Sequence, residues 1–493
     1  MIAQREVCPR APFGATVIDP QDFSGSAIGL FLRSSLDRFR QTRYCYVSTD
    51  GVESPTIRVH AGDELVLRLT NQLAPDSGGH DHHDGCGPSA TMSASSTNLH
   101  FHGLDLPPSC HQDETLRTLI PPSGSFEYRI KIPAGESPGL YWYHPHPHGF
   151  TEPQVLGGAS GALIVEGIEK VKPQVAGLPE RVLVLRDQSV AGFSGDAEDA
   201  GPGKDISINF VPVLYPLYRP AQMLVRPGER EFWRVLNASA DTYFDLQIRF
   251  GKTIQDVNDP QATELIAMDG VPVGGESKTN HILLGPGARA EFIVTTPRPG
   301  QYGQLVTLKY DTGPDGASTP YRAIANLVAR EDAPAGNRIP SEAGSKPFHG
   351  LGRLTPARQR TLYFSEDAKA KKYFITEQGK LPKTFDMYFT APDLTVRHGT
   401  VEDWIVENRA QEAHVFHIHQ LHFQLMERDG TKIDEPMLRD TVDLPYWDGK
   451  SARYPSVKLR MDFRNPSIVG TFVYHCHILE HEDGGMMGSI RVK

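Results

Sequence analysis

The chain is written in short apolar runs separated by Gly, Pro, Asn and Asp, and long stretches of helical periodicity are scarce. Several runs alternate apolar and polar positions, the period of a strand with one buried face. That pattern predicts an all-β protein. Residues 58–71 (RVHAGDELVLRLTN), 224–237 (LVRPGEREFWRVLN) and 395–408 (TVRHGTVEDWIVEN) carry the alternation in one frame. In each, a Gly precedes the strand and an Asn follows that Gly by nine positions: Gly62 and Asn71, Gly228 and Asn237, Gly399 and Asn408. A Gly there suits a tight turn.

A second element recurs downstream. Residues 138–146 read PGLYWYHPH, 299–305 read PGQYGQL and 469–477 read VGTFVYHCH. Five positions after the Gly stand His144 in the first copy, Leu305 in the second and His475 in the third. Such repetition reveals architecture directly. It predicts three β-sandwich domains, the middle one without polar ligand candidates. Their expected bounds are 1–172, 173–340 and 341–493, with linkers near Val171–Gly177 and Ala333–Lys346, where Pro, Gly and charged residues cluster.

A length of 493 residues accommodates two to four domains. The formal net charge of −10 leaves no basic surface, so nucleic acid is not expected as a partner. No run approaches the roughly 20 apolar residues of a membrane span. Met1–Arg10 carries no apolar signal-peptide core.

The five cysteines divide by context. Cys476 stands between two histidines and reads as a ligand. Cys8, Cys45, Cys86 and Cys110 form an even set with three possible pairings. Cys8 with Cys45 and Cys86 with Cys110 is the favoured arrangement, against four small buried thiols. Pairing implies an oxidising compartment, and a periplasmic or secreted protein is expected.

Histidines form four tight groups: His100 and His102; His144 and His146; His414, His417 and His419; and His475 and His477 around Cys476, followed by His481 and Met486. Residues two apart on a strand share a face, so each His-x-His offers two imidazoles side by side. All lie in the first and third units, which predicts a cluster at the interface of those two. Imidazole suits copper, zinc, iron or nickel. Cys476 points away from its neighbours, toward His414, His481 and Met486. A trigonal His2Cys set with a long Met is the ligand set of blue copper. One cysteine then joins an outer site to an inner one.

These motifs resemble those of bacterial laccase-like multicopper oxidases, over nearly the whole chain. The resemblance implies three consecutive cupredoxin-like Greek-key β-sandwich or barrel domains and four copper ions. By motif, His414, Cys476 and His481 would bind type 1 copper, with Met486 axial. His100 and His417 would bind type 2 copper. His102, His144 and His477 would hold one type 3 copper, and His146, His419 and His475 the other. Asp440, in an Arg-Asp-Thr-Val stretch, is similar to the third domain of the family. Glu482 is similar to an acid associated with proton delivery, which reduction of O2 to water requires. Asp113 or its neighbour Glu114 is similar to a second near-cluster acid.

His80-Asp-His-His-Asp84 reads as a solvated tract rather than an accessory metal site. His148 and His422 are expected to pack or hydrogen-bond, and Pro145 and Pro147 to mark a strand end. The resemblance implies phenols or aromatic amines as reductants and O2 as acceptor. The runner-up is a metallo-oxidase of Cu(I) or Fe(II), although the ten methionines include no cluster. A non-catalytic copper-tolerance protein and a copper nitrite reductase fit less well, given complete ligand sets and a third unit.

Overall fold

A computed structural model describes residues 8, 10–37, 39–75, 85–87, 92–190, 202–341, 344 and 349–493. The His80–Asp84 tract lies outside the described residues. The all-β expectation holds, and the sheets come in three pairs. The first pair is a five-stranded sheet containing His100–His102 and Gly139–His144 and a four-stranded sheet containing Glu64–Asn71. The second pair has seven and six strands, and the third six and five. Apolar side chains from both members of each pair interleave into one core: Leu30, Leu67, Phe101 and Tyr141 in the first, Trp233 and Phe244 in the second, Trp404 and Phe416 in the third.

The three copies repeat in register as well as in sequence. Glu64–Asn71, Arg230–Asn237 and Val401–Asn408 each pair in parallel with an earlier strand of the unit: Ala27–Leu36, Glu180–Gln188 and Arg358–Asp367. Gly62, Gly228 and Gly399 all have positive φ (92°, 67° and 83°), which a side chain would strain. The repeated Asn has one task in all three. Its Nδ2 donates to two backbone carbonyls and its Oδ1 accepts from the amide two residues on. The carbonyls are Ser95 and Ile120 for Asn71, Thr242 and Leu284 for Asn237, and Glu412 and Pro445 for Asn408. The amides are Leu73, Ser239 and Ala410. Each Asn thus satisfies three buried backbone groups where the strand runs out.

The segment around Val17 packs across units. Val17 lies in the core of the middle unit, and its amide donates to the Gln222 carbonyl at 2.8 Å. Cys8 is bonded to Cys45, and Cys86 to Cys110, the favoured pairing. No described helix is long and apolar enough to cross a membrane.

Candidate metal centre

Two strand pairs aim the histidines. His100–His102 runs antiparallel to Gly139–His144, with His100 opposite His144. His414–Ile418 runs antiparallel to Gly470–Cys476, with His417 opposite His475 and Phe416 opposite Cys476. The same-face argument holds within a strand for His100 and His102. In the other three pairs the second histidine lies just beyond the strand end: His146 after Pro145, His419 after Ile418, His477 after Cys476.

Five buried groups result, each with donor atoms within 4.8 Å of one another: His100, His102 and His417; His102, His144 and His477; His146, His419 and His475; His414, Cys476 and His481; and His100, Asp113 and His419. The first two share His102, and all of the first three mix residues of the first and third units.

Backbone and carboxylate partners decide which nitrogen faces inward. His100 Nδ1 lies 3.0 Å from both Asp113 oxygens, His144 Nδ1 2.9 Å from the Pro145 carbonyl, and His417 Nδ1 2.8 Å from the Asp440 carbonyl. Each Nδ1 donates there, leaving Nε2 as a lone-pair atom. Those three Nε2 atoms are buried without a partner, as are His102 Nδ1 and both ring nitrogens of His477. His475 Nδ1 lies 2.9 Å from the Cys476 carbonyl, and its Nε2 stands 3.2 Å from His419 Nε2 and 3.4 Å from His146 Nε2. Nitrogens about 2.0–2.1 Å from one metal, at tetrahedral angles, stand about 3.3–3.4 Å apart. Burial pushes His102, His144, His146, His417, His419 and His477 well below the usual imidazole range, with neighbouring imidazoles adding to the effect. Neutral imidazoles whose lone pairs converge fit metal ions and fit little else.

The outer group differs in chemistry. Cys476 Sγ stands 3.6 Å from His414 Nδ1 and 3.7 Å from His481 Nδ1, and the two nitrogens are 3.0 Å apart. Met486 is fully buried, its carbonyl accepting from the Cys476 amide at 3.1 Å. Two imidazoles and a thiol in a dry trigonal set fit copper. The outward edge of His481 meets Glu412, with Nε2 3.3 Å from Oε2, and Tyr373 stacks on the ring at 4.3 Å.

Both near-cluster acids from the sequence lie at the histidines. Glu482 Oε2 is 3.2 Å from His475 Nδ1 and Oε1 is 3.5 Å from His146 Nε2. Burial, with Asp483 beside it, pushes its carboxyl well above the usual range. Asp113 also accepts from the Phe101 amide at 3.0 Å and the Gln420 side chain at 2.5 Å. The choice between Asp113 and Glu114 falls to Asp113, because Glu114 turns away to accept from the Arg117 and Thr118 amides.

Sequence reasoning missed what the middle unit contributes. Arg289 donates to both oxygens of Asp440 at 2.7 Å, and Asp440 Oδ1 lies 3.2 Å from His102 Nε2. Asp269 Oδ2 accepts from the Asp440 amide and from the amide and hydroxyl of Thr441. Gly287, at φ 84°, lets the chain lie against His477, whose ring a Cβ would meet at 2.9 Å. The unit without ligand candidates therefore locks the other two around the cluster. His422 hydrogen-bonds the Asp269 carbonyl at 2.9 Å, as expected of a packing residue. His148 is buried against His146 and Phe385, and burial lowers it to about 4 against the pull of a hydrogen bond to the Thr115 backbone.

Comparison with known proteins agrees with this geometry. Family models described as multicopper oxidase match residues 91–170, 215–331 and 355–493. The multicopper oxidase mco of Staphylococcus haemolyticus is 25% identical over 450 residues, covering 89% of this chain and 81% of that protein. A laccase of Haloferax volcanii is 26% identical over 472 residues, covering 88% and 75%. Among solved structures, a multicopper oxidase from Campylobacter jejuni described as a metallo-oxidase superposes with a TM-score of 0.72 at 24% identity, covering 98% and 96%. McoA from Aquifex aeolicus gives 0.71 at 19%, covering 97% and 99%.

Proposed function

The chain belongs to the multicopper oxidase family, three cupredoxin-like domains in series, and from that premise we propose that it oxidises phenols or aromatic amines one electron at a time and reduces O2 to water. It is a copper oxidoreductase with O2 as acceptor. The observation that carries the reading is the pairing of a buried His2Cys group with three buried, converging histidine groups that carry unpartnered ring nitrogens.

His414, Cys476 and His481 would hold the type 1 ion, with the buried Met486 as a further candidate ligand. His100 and His417 would hold type 2. His102, His144 and His477, and His146, His419 and His475, would hold the type 3 pair. Bound copper supplies reversible one-electron chemistry and the reduction of O2. The chain supplies the connection, because Cys476 is bonded through backbone to His475 and His477 on either side. It also supplies protons. Reduction of O2 to two waters takes up four, and Glu482, against His146 and His475, is the acid that would deliver them. Asp113 orients His100 through Nδ1 and fixes which nitrogen faces the metal. The two disulfides support a periplasmic or secreted location.

A second reading, oxidation of Fe(II) or Cu(I), is favoured by the carboxylate of Glu412 at the outward edge of His481. The test is O2 uptake by the copper-loaded protein with guaiacol, Fe(II) and Cu(I) supplied separately. Guaiacol-driven uptake supports the first reading, and uptake driven by the metal ions alone supports the second.

A further inference from the structure

A cleft of about 840 Å³ opens at the joint between the first and middle units, and none of the metal-centre residues lines it. Three stretches of chain build its walls. The first unit contributes the strands Asp22–Phe23 and Thr56–Val59 and the turn at 60–64. The link at 166–170 follows the strand Gly161–Val165. Residues 337–340 run past as the chain leaves the middle unit.

The cleft is acidic, and its carboxylates differ in how they are held. Asp22, Glu166 and Glu180 surround one guanidinium. Arg58 Nε lies 2.9 Å from Asp22 Oδ1, Nη1 2.7 Å from Glu166 Oε1 and Nη2 2.6 Å from Glu180 Oε2. Asp63 accepts from the His60 amide at 2.8 Å. Glu169 is held by nothing. It is only 2% exposed and lines the cleft, yet its carboxylate has no hydrogen-bond or ion-pair partner among the described residues. Glu64, exposed at the start of the strand Glu64–Asn71, has none either. The lining cations are Arg58, Lys170 and Arg338, so the six carboxylates leave an excess of three negative charges. Two of those cations are already engaged, Arg58 by its three carboxylates and Arg338 by Glu229 at 3.1 Å.

We propose that this cleft binds a small organic cation carrying two or more ammonium groups, a polyamine. A carboxylate that is buried and unpaired is costly unless a cation meets it, and Glu169 is such a group. An ammonium brings three donors and a full charge to it. A second ammonium on the same chain can reach Glu64 and Asp63 on the first-unit wall, which a single compact ion cannot do while held at Glu169. A divalent metal ion needs several oxygens converging on one point, and among the described residues no such convergence involves these carboxylates. The volume lies within the usual range for small-molecule sites.

Isothermal titration of spermidine into the copper-loaded full chain tests the proposal, with about 150 mM NaCl to screen diffuse attraction to the net charge of −10. One saturable site is expected. Glu169→Gln keeps the shape and removes the charge, and should weaken binding about tenfold or more, the worth of one charge-assisted hydrogen bond. Glu64→Gln changes an exposed residue and should weaken it about two- to fivefold. The far-ultraviolet dichroism of both variants should match that of the parent chain. Heat that never saturates, or an affinity that neither substitution alters, overturns the proposal. Displacement of spermidine by an equal concentration of Mg(II) overturns the choice of an organic cation. The readout is binding rather than turnover, so it does not depend on the oxidase reading.

Discussion

Arg289 holds Asp440 with both guanidinium nitrogens, each 2.7 Å from a carboxylate oxygen, and neither side chain is exposed to solvent. The pair joins the middle unit to the third. Through Asp440 Oδ1, 3.2 Å from His102 Nε2, it also reaches the first. Burial raises Asp440 to about 6, against the opposing pull of Arg289. Arg289→Ala leaves that carboxylate buried without its guanidinium partner, at a cost of about 3–5 kcal/mol. Urea unfolding of the metal-free protein should show the loss. Copper retention at the inner histidines should fall about 10- to 100-fold, as for other partners of metal-bound histidine. Unchanged stability and copper content would mean the clamp is dispensable.

Gly287 gives a more local test. A Cβ there would meet the His477 ring at 2.9 Å, on a backbone with φ 84°. Gly287→Ala should displace His477 and cost about 1–3 kcal/mol in backbone strain. Copper analysis should show loss at the inner cluster with the blue absorption kept, because Cys476 faces the other way.

Glu482→Gln keeps shape and removes the transferable proton. O2 reduction should slow by about 10²-fold or more, the range for a positioned acid. Anaerobic bleaching of the blue band by guaiacol should keep its rate, since that step needs no proton at the inner cluster. Equal slowing of both would assign Glu482 a structural role.

His422 makes stability depend on pH. Burial opposes its charge, but Asp105, Asp440 and Glu136 outweigh burial and raise it to about 9. The folded value lies above the unfolded one of about 6.5. Its contribution is therefore complete below about pH 6.5 and disappears as pH rises through about 9, a change on the order of 3 kcal/mol. Metal-free protein should lose that stability between pH 7 and 10, and His422→Gln should flatten the dependence. An unaltered pH profile in the variant would show that the imidazolium is not what the carboxylates hold.

Much of this was legible along the chain because it is local. Alternation, the turn Gly and the closing Asn lie within one strand and its turn, and the side-by-side imidazoles of His100 and His102 follow from strand geometry, whereas His146, His419 and His477 lie past their strand ends. The reason for the Asn was hidden, since its carbonyl partners sit up to 49 residues away, as with Asn71 and Ile120. Arg289 was hidden for the same reason: its partner lies 151 residues on, in another unit. Asp113 and Glu114 are neighbours of like chemistry, and only the path of the loop after Pro107 decides which meets His100. Val17 reads as part of the first unit but packs in the second, because an extended terminus can reach any exposed edge.

The most direct test of the central claim is the stoichiometry of O2 consumption by the copper-loaded protein with guaiacol, recorded beside its visible spectrum. The account predicts an intense blue band that Cys476→Ser abolishes, four guaiacol molecules oxidised for each O2 consumed, and no oxygen returned when catalase is added. A colourless protein, or one that releases its oxygen as peroxide, would contradict it.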